Sequence, residues 1–562
     1  MAIDLARPVT QLAGPPLGSA AGIGALTLGS FLCETAERFA ANEALVFDDP
    51  LTGETARWTY ADLQREARRV ARALMATGTG CGSRVGIVMA NRPEAVAALF
   101  GAAMTGAVVI PLSTFSPSPE LAYLIAHADL SVLLTQTSLG RRRFAADIAA
   151  LCPTAVGGRR IHDPAFPFLR YVTAVGSGAD GAGIEPWETF LARGAEVSDE
   201  LLDAAAATVT PSDLGLVIYS SGTTDRPKGV LHNHQAPTLQ FWVQAQLFAR
   251  DESTRLWSVL PIFWTAGMNT AMGATLAAGG CWIMQETFDA AEALRLMARE
   301  RVTEPYTLPH QASALEEHPD WATADLSSLT KVFGKSVFTR HPKVTGDPGW
   351  NMPVGYGLSE TCAFFAAHRS DTPRHLLKES IGRLLPGNEL RIVDPDTGGR
   401  LGPNEDGEMA IRGPTLMEHY LKRTRAECLD ADGFFHTGDM GSFDDEGYVH
   451  FTGRRTEMIK TGGANVSPAE LEVQLRACEP VKLARVVGVP DERLDQLVVL
   501  CVVLKEGAEA SEDDLRAFLR ERVAAYKVPK RVLFFADGEI PMTNSDTKVR
   551  DEALSALVES RL

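Results

Sequence analysis

The hydrophobic pattern is clearest between residues 84 and 112. Residues 84–90 (RVGIVMA) read as a strand, residues 93–104 as a helix with Asn91 at its cap position, and residues 108–112 (VVIPL) as a second strand. This order predicts a βαβ unit, and the later alternation of strand-like and helix-like stretches extends it to an α/β domain on a mainly parallel, buried sheet. The longest apolar run, residues 96–112, is rich in Gly and Ala and falls short of the roughly 20 residues that a spanning helix needs. It is expected to be a buried helix leading into a strand, with no membrane span. Residues 153–207 mix Gly, Pro and Asp with weak periodicity and predict long loops. From about residue 451 the character changes: residues 470–478 and 512–525 are helical in pattern and flank the strand-like 497–504. The expected architecture is α/β, a large N-terminal domain (1–453) of sheets layered with helices, a hinge at 454–456, and a small mobile α+β domain (457–562).

Size and composition agree. The 562 residues exceed the roughly 250–300 at which a single core stops growing, so at least two domains are expected. A net charge of -17 argues against a nucleic-acid surface, and the basic triplet Arg141, Arg142, Arg143 reads as a solvated helix face. The 8 cysteines are scattered with no CxxC pair, which points away from zinc or a disulfide framework and toward a reducing, cytoplasmic setting. Gly22, Gly24 and Gly29 have the wrong spacing for a dinucleotide fingerprint.

The strongest chemical signal is the run YSSGTTDRPKGV at 219–230, where a strand-like stretch (216–219) enters a loop dense in hydroxyls and glycine. Ser220, Ser221, Gly222, Thr223 and Thr224 can offer hydroxyl and backbone N–H donors to phosphate oxygens, and Lys228 adds a point charge. By itself the run also fits a polar turn between strand and helix, since Ser/Thr/Gly clusters are common loop material.

Three further segments follow in order: GYGLSE at 355–360, FHTGD at 435–439, and GRRTEMIKTGGANVSPAE at 453–470. With the loop at 219–230 they resemble the motifs of the adenylate-forming superfamily, which includes acyl-CoA synthetases, peptide-synthetase adenylation domains and luciferases. The resemblance covers nearly the whole chain and favours the acyl-CoA synthetase branch. It implies ATP or an acyl-adenylate, coenzyme A and Mg2+ as the small molecules used. Tyr356 would stack on adenine within a pocket including Gly357, Ser359, Gly334, Lys335 and Ser336, and Glu360 would hold the magnesium. Asp439 would accept from the ribose hydroxyls beside Arg454. The small domain would alternate between two half-reactions, presenting Lys548 for adenylation, and Lys460 with Gly462 and Gly463 on the coenzyme A side. The acyl pocket is expected between Trp264, Thr265, Ala266, Gly267 and Thr270, the 334–338 segment, and Gly355 and Ala363; Ala266 and Gly267 would leave room for a medium or bulky hydrophobic acid.

The sequence departs from the family pattern in several places. Asp225 replaces a glycine inside the phosphate loop, TNSDTK at 543–548 is one residue longer than the usual lysine motif and lacks its glycine, Thr456 stands at the hinge, and Trp264 replaces a histidine. These changes cluster on the ATP side, whereas Asp439, Arg454 and Lys460 match. The expected activity is therefore acyl-CoA formation through acyl-AMP with the adenylation half-reaction weak or lost, so that a separate adenylating enzyme supplies the adenylate. The alternatives are an ordinary two-step synthetase and a non-catalytic adenylate-binding regulator. A homodimer is the statistical default.

Overall fold

The computed structural model describes residues 10–155, 159–179, 182–220, 227–334, 336–347, 349–454, 459–461, 464–466, 468–491, 494–523, 527–542 and 549–562. They form two compact units. One comprises residues 13–389 and 412–433; the other comprises 390–411 and 434–562 with a short N-terminal piece ending at Leu12.

The first unit is built on an eight-stranded sheet. In chain order its elements are β1 (Arg84–Val88), α1 (Pro93–Met104), β2 (Val108–Pro111), α2 (Ser118–His127), β3 (Val132–Gln136), β4 (Tyr171–Val175), β5 (Glu185–Pro186), β6 (Leu214–Ser220), β7 (Lys228–Asn233), α3 (Gln235–Leu247) and β8 (His419–Tyr420). The strand order is β8-β7-β6-β2-β1-β3-β4-β5. From β6 to β5 every pairing is parallel, and only β7 and β8 run antiparallel to their neighbours. The βαβ expectation holds residue for residue in α1, which opens on Pro93 at its first position. Its Ala-rich sequence lets it pack closely, and Ala95 through Met104 are all buried. Among the described residues no helix is long and apolar enough to cross a membrane.

A second, five-stranded sheet runs in the order Glu304–Pro305, Arg255–Ser258, Cys281–Met284, Glu43–Asp48, Thr55–Thr59. It is parallel except for its last pair. A small antiparallel sheet of Gly355–Leu358, Ala363–Ala367 and Arg383–Leu384 carries the GYGLSE segment.

Three local expectations are corrected. Asn91 is not the cap of α1: the cap residue is Arg92, and the buried Asn91 amide bridges Leu260 O and Ile262 N at 3.0 and 3.2 Å. The arginine triplet is not a helix face. It forms the turn entering the helix Phe144–Leu151, with Arg142 donating to Thr114 O and lying over the Phe144 ring. Residues 153–207 are less loop-like than expected, since β4, β5 and the helices Trp187–Ala192 and Asp199–Ala206 fall within them.

The second unit carries a five-stranded sheet that ends in the antiparallel pair Phe435–Phe443 and Val449–Arg454. It also carries a sheet centred on Asp495–Leu504, which pairs with Val481–Asp491, Ile459–Thr461 and Arg531–Phe534. The helices Pro468–Leu475 and Glu512–Arg520 bury Leu471, Leu475, Leu515 and Leu519 in one core with that sheet.

Candidate active site

In the first unit β6 ends at Ser220 and β7 begins at Lys228, on either side of residues 221–226, which lie outside the described residues. These strands pair antiparallel so that Ser220 faces Lys228 across the ladder, which sets a hydroxyl-bearing residue opposite a cationic one. Strand β8 pairs with β7 on the other side and brings Tyr420 beneath the lysine, with Lys228 Nζ 5.7 Å from the ring centroid. The Tyr420 hydroxyl donates to Glu360 Oε1 at 2.7 Å. Burial is the first cause, and the Glu360 carboxylate the second, that holds the Tyr420 hydroxyl far above its ordinary range, so it remains a donor. The Glu360 main chain is fixed as well: Met417 N donates to Glu360 O at 2.7 Å, and His232 Nε2 donates to Ser359 O at 2.8 Å. Burial pushes the His232 imidazole down to about 4, so it is neutral at physiological pH, and the carbonyl partner assigns its proton to Nε2. Thus Lys228, Tyr420 and Glu360 form one polar cluster at the start of β7.

Tyr356 is buried in the strand Gly355–Leu358, where it pairs with Ala366. Gly357 is required by its partner strand, because a Cβ there would lie 1.7 Å from Ala363 O. Ser336 is buried and caps a short helical turn by accepting from Phe338 N, and Gly334 is exposed beside the Arg374 guanidinium.

The expected acyl wall is aromatic. Trp264, Phe263 and Phe115 form a triangle with ring centroids 5.4–5.9 Å apart. Trp264, Thr265, Ala266 and Ala363 are half-buried, as is Gly355. Gly267 does not leave pocket volume: it is buried, and a Cβ would fall 2.0 Å from Pro261 O, so its smallness serves close packing of the wide helical turn Ala266–Gly273. Thr270 is likewise turned into the core, where its hydroxyl donates to Gln244 Oε1 at 2.6 Å.

In the second unit Asp439 and Arg454 are register partners across a strand pair. Arg454 Nε donates to Asp439 Oδ1 at 2.9 Å, and Asp439 is 2% exposed. The turn before it is pinned by Thr437, which accepts from Asp439 N and donates to Met409 O, and by Glu408, which accepts from Gly438 N. Lys460 lies in the strand Ile459–Thr461. Ser221, Gly222, Thr223, Thr224, Lys335, Gly462, Gly463 and Lys548 lie outside the described residues, as do Asp225 and Thr456.

Residues 32–421 match the AMP-binding enzyme family, and residues 470–546 match the AMP-binding enzyme C-terminal domain. The chain belongs to the AMP-binding enzyme family. It is 33% identical over 503 residues to an indoleacetate–CoA ligase of Aromatoleum aromaticum, covering 89% of this chain and 93% of that one. It is 32% identical to a feruloyl-CoA synthase of an Amycolatopsis species, covering 88% and 93%. Among solved structures, the amide bond synthetase McbA of Marinactinospora thermotolerans superposes with a TM-score of 0.73 at 28% identity over 94% of this chain and 99% of that one.

For an AMP-binding enzyme the cluster around Glu360 fits a magnesium ion held largely by its nucleotide. The Glu360 carboxylate, oriented by the Tyr420 hydroxyl, is the hard oxygen donor that would hold such an ion. Magnesium commonly takes one or two carboxylates and completes its shell with phosphate oxygens and water. Tyr420, which fixes that carboxylate, and His232, which holds the neighbouring Ser359 carbonyl, escaped the reading of the sequence. The one available signal was the pair of histidines in the HNH run at 232–234, just after the phosphate loop.

Proposed function

We propose that this AMP-binding enzyme is an acyl-CoA ligase. It joins a hydrophobic carboxylic acid to coenzyme A through acyl-AMP, with the second half-reaction dominant. The observation that carries this reading is the buried Asp439 tied to Arg454 in a chain whose relatives are CoA ligases. A fixed carboxylate acceptor suits the two ribose hydroxyls of an adenylate. The aromatic triangle of Phe115, Phe263 and Trp264 favours a planar or bulky apolar acid, since aromatic faces stack and exclude water. Lys228, and a magnesium ion if held by Glu360, would serve the polyphosphate, which only the first half-reaction contains. Asp225 sets a negative charge in that same loop, so ATP is penalised and preformed adenylate is not.

In this reading the small C-terminal domain turns about 454–456 between the half-reactions, bringing Lys548 and then the Lys460 face to the adenylate. The protein acts in a reducing, cytoplasmic setting. Magnesium supplies charge neutralisation at the phosphates; Tyr420 orients Glu360, and Lys228 adds the second positive charge.

The test supplies chemically prepared acyl-adenylates, including indoleacetyl and hydroxycinnamoyl forms, with coenzyme A, and measures thioester and AMP. Thioester formation supports the ligase. Tight binding without turnover identifies an adenylate-binding regulator. Turnover with amines and not with coenzyme A would make the chain resemble the amide bond synthetase in activity as well as in fold.

A further inference from the structure

The residues following Glu360 form a turn that glycine would ordinarily make. Cys362 has φ 60° and ψ -5°, the left-handed region, with its side chain fully buried. A residue with a Cβ holds that conformation only where its surroundings impose it. Here they do. Six consecutive carbonyls, residues 359–364, each accept a defined hydrogen bond. Ser359 O accepts from His232 Nε2 (2.8 Å), Glu360 O from Met417 N (2.7 Å), and Thr361 O from Gln240 Nε2 (3.2 Å). Cys362 O accepts from Asn269 Nδ2, Ala363 O from Thr361 Oγ1 (2.7 Å), and Phe364 O from the same Gln240 Nε2 (2.6 Å). His232, Gln240, Asn269 and Thr361 are all 0% exposed.

The Gln240 amide is itself oriented. Gln244 Nε2 donates to its Oε1 at 2.8 Å, Gln244 Oε1 accepts from Thr270 Oγ1, and Thr270 O accepts from Arg250, which is fully buried in an ion pair with Glu304. Buried amides and charges of this kind are costly unless every partner is in place. The chain of donors therefore fixes which way Gln240 Nε2 points.

We propose that Gln240, oriented by Gln244 and assisted by Asn269, is a positioning residue of the active site. It holds the left-handed turn at Cys362, and through it sets Glu360 for the metal–nucleotide and Ala363–Phe364 for the acyl group. The proposal rests on the function given above for Glu360.

Two measurements test it on the full chain. Hydrogen–deuterium exchange without ligand reads the turn directly. Gln240→Met should speed exchange of peptides covering 358–366 at least tenfold, with the sheet β1-β2-β3 unchanged within twofold. Adding Cys362→Gly should bring the turn back to within threefold, because glycine adopts the conformation unaided. Gln244→Met removes the orienting contact and the acceptor of the Thr270 hydroxyl while leaving Gln240 Nε2 in place, and gives a smaller effect of the same kind if Gln240→Met fails to fold. Calorimetry of ATP binding against magnesium concentration reads the consequence: half-saturating magnesium should rise at least fivefold in Gln240→Met. Unchanged exchange at the turn, loosening spread evenly over the unit, no rescue by Cys362→Gly, or a loosened turn with unaltered magnesium dependence would each overturn the proposal. If the native protein binds no magnesium–ATP, the function assigned to Glu360 fails, and the exchange experiment still decides whether Gln240 holds the turn.

Discussion

Glu360 and Asp439 are two carboxylates of recognisable motifs, yet the fold positions them by different means. Asp439 stands in a regular strand pair, and its partner Arg454 is its register neighbour, so the β ladder alone brings the two side chains together. Glu360 sits on a turn that no ladder specifies. Its geometry comes from groups 57 to 128 residues away in sequence: the Met417 backbone N–H and the side chains of Tyr420, Gln240 and, through the neighbouring Ser359, His232. A ladder position tolerates change in its surroundings. A turn held by buried donors depends on each of them.

The largest expected effect comes from removing the ladder carboxylate. Asp439→Ala deletes the acceptor proposed for two ribose hydroxyls and removes the carboxylate that Arg454 Nε meets; at about 1.5 kcal/mol for each charge-assisted bond, adenylate affinity should fall on the order of 100-fold. Glu360→Ala, which touches only the polyphosphate side, should leave adenylate-to-thioester turnover within about threefold. The measurement is the adenylate concentration dependence of thioester formation in both variants. Equal losses would erase the distinction between the two carboxylates.

The second effect concerns the buried donors, and its readout is stability. His232 is held at about 4 by burial, well below its unfolded value near 6.5. The native ring binds its proton less readily than the unfolded one. Stability from this group is therefore complete above about pH 6.5 and is lost as pH falls toward 4, at about 1.4 kcal/mol per pH unit. His234, also held at about 4 by burial, adds a parallel loss. In His232→Gln the slope contributed by this ring should vanish, so that denaturant midpoints between pH 6.5 and 5 converge on those of the native protein at low pH. An unaltered slope would mean that the ring is accessible to protons without unfolding.

The contrast also explains what the sequence made legible. The βαβ core, Ser220, Lys228, Glu360, Asp439 and Arg454 all lie in contiguous patterns or motifs, although Lys228, read within the loop, and Arg454, read within the hinge, lie on strands. Gln240, Gln244 and Asn269 left no such trace. In α3 the two glutamines are spaced by four and so share a face, yet the helix is buried on all sides, and nothing local says that this face meets a turn more than a hundred residues later. Gly267 misled for a related reason. A glycine in an apolar run offers pocket volume or close backbone packing, and only the position of Pro261 O decides between them.

The smallest effect sharpens the comparison from the side of the phosphates. Asp225 stands at a position usually occupied by glycine, in a loop expected to hold the β- and γ-phosphates. At about 5 Å and an effective dielectric of about 20, one carboxylate opposes each phosphate charge by roughly 3 kcal/mol before screening. The neighbouring Arg226 and salt offset part of this, which leaves an expected gain of about tenfold in acid-dependent pyrophosphate exchange for Asp225→Gly. The replacement also restores the backbone freedom that lets N–H groups face the phosphates. Deleting Asp546, which shortens the lysine loop to the usual length, should add to the gain by bringing Lys548 within reach. Neither change should move adenylate-to-thioester turnover by more than about twofold, because the adenylate carries no pyrophosphate for Asp225 to repel. Exchange that is already brisk in the native protein with its own acid would remove the reason for a one-sided ligase: Glu360 and Asp439 would then serve consecutive steps of equal weight, and no separate adenylating enzyme would be needed.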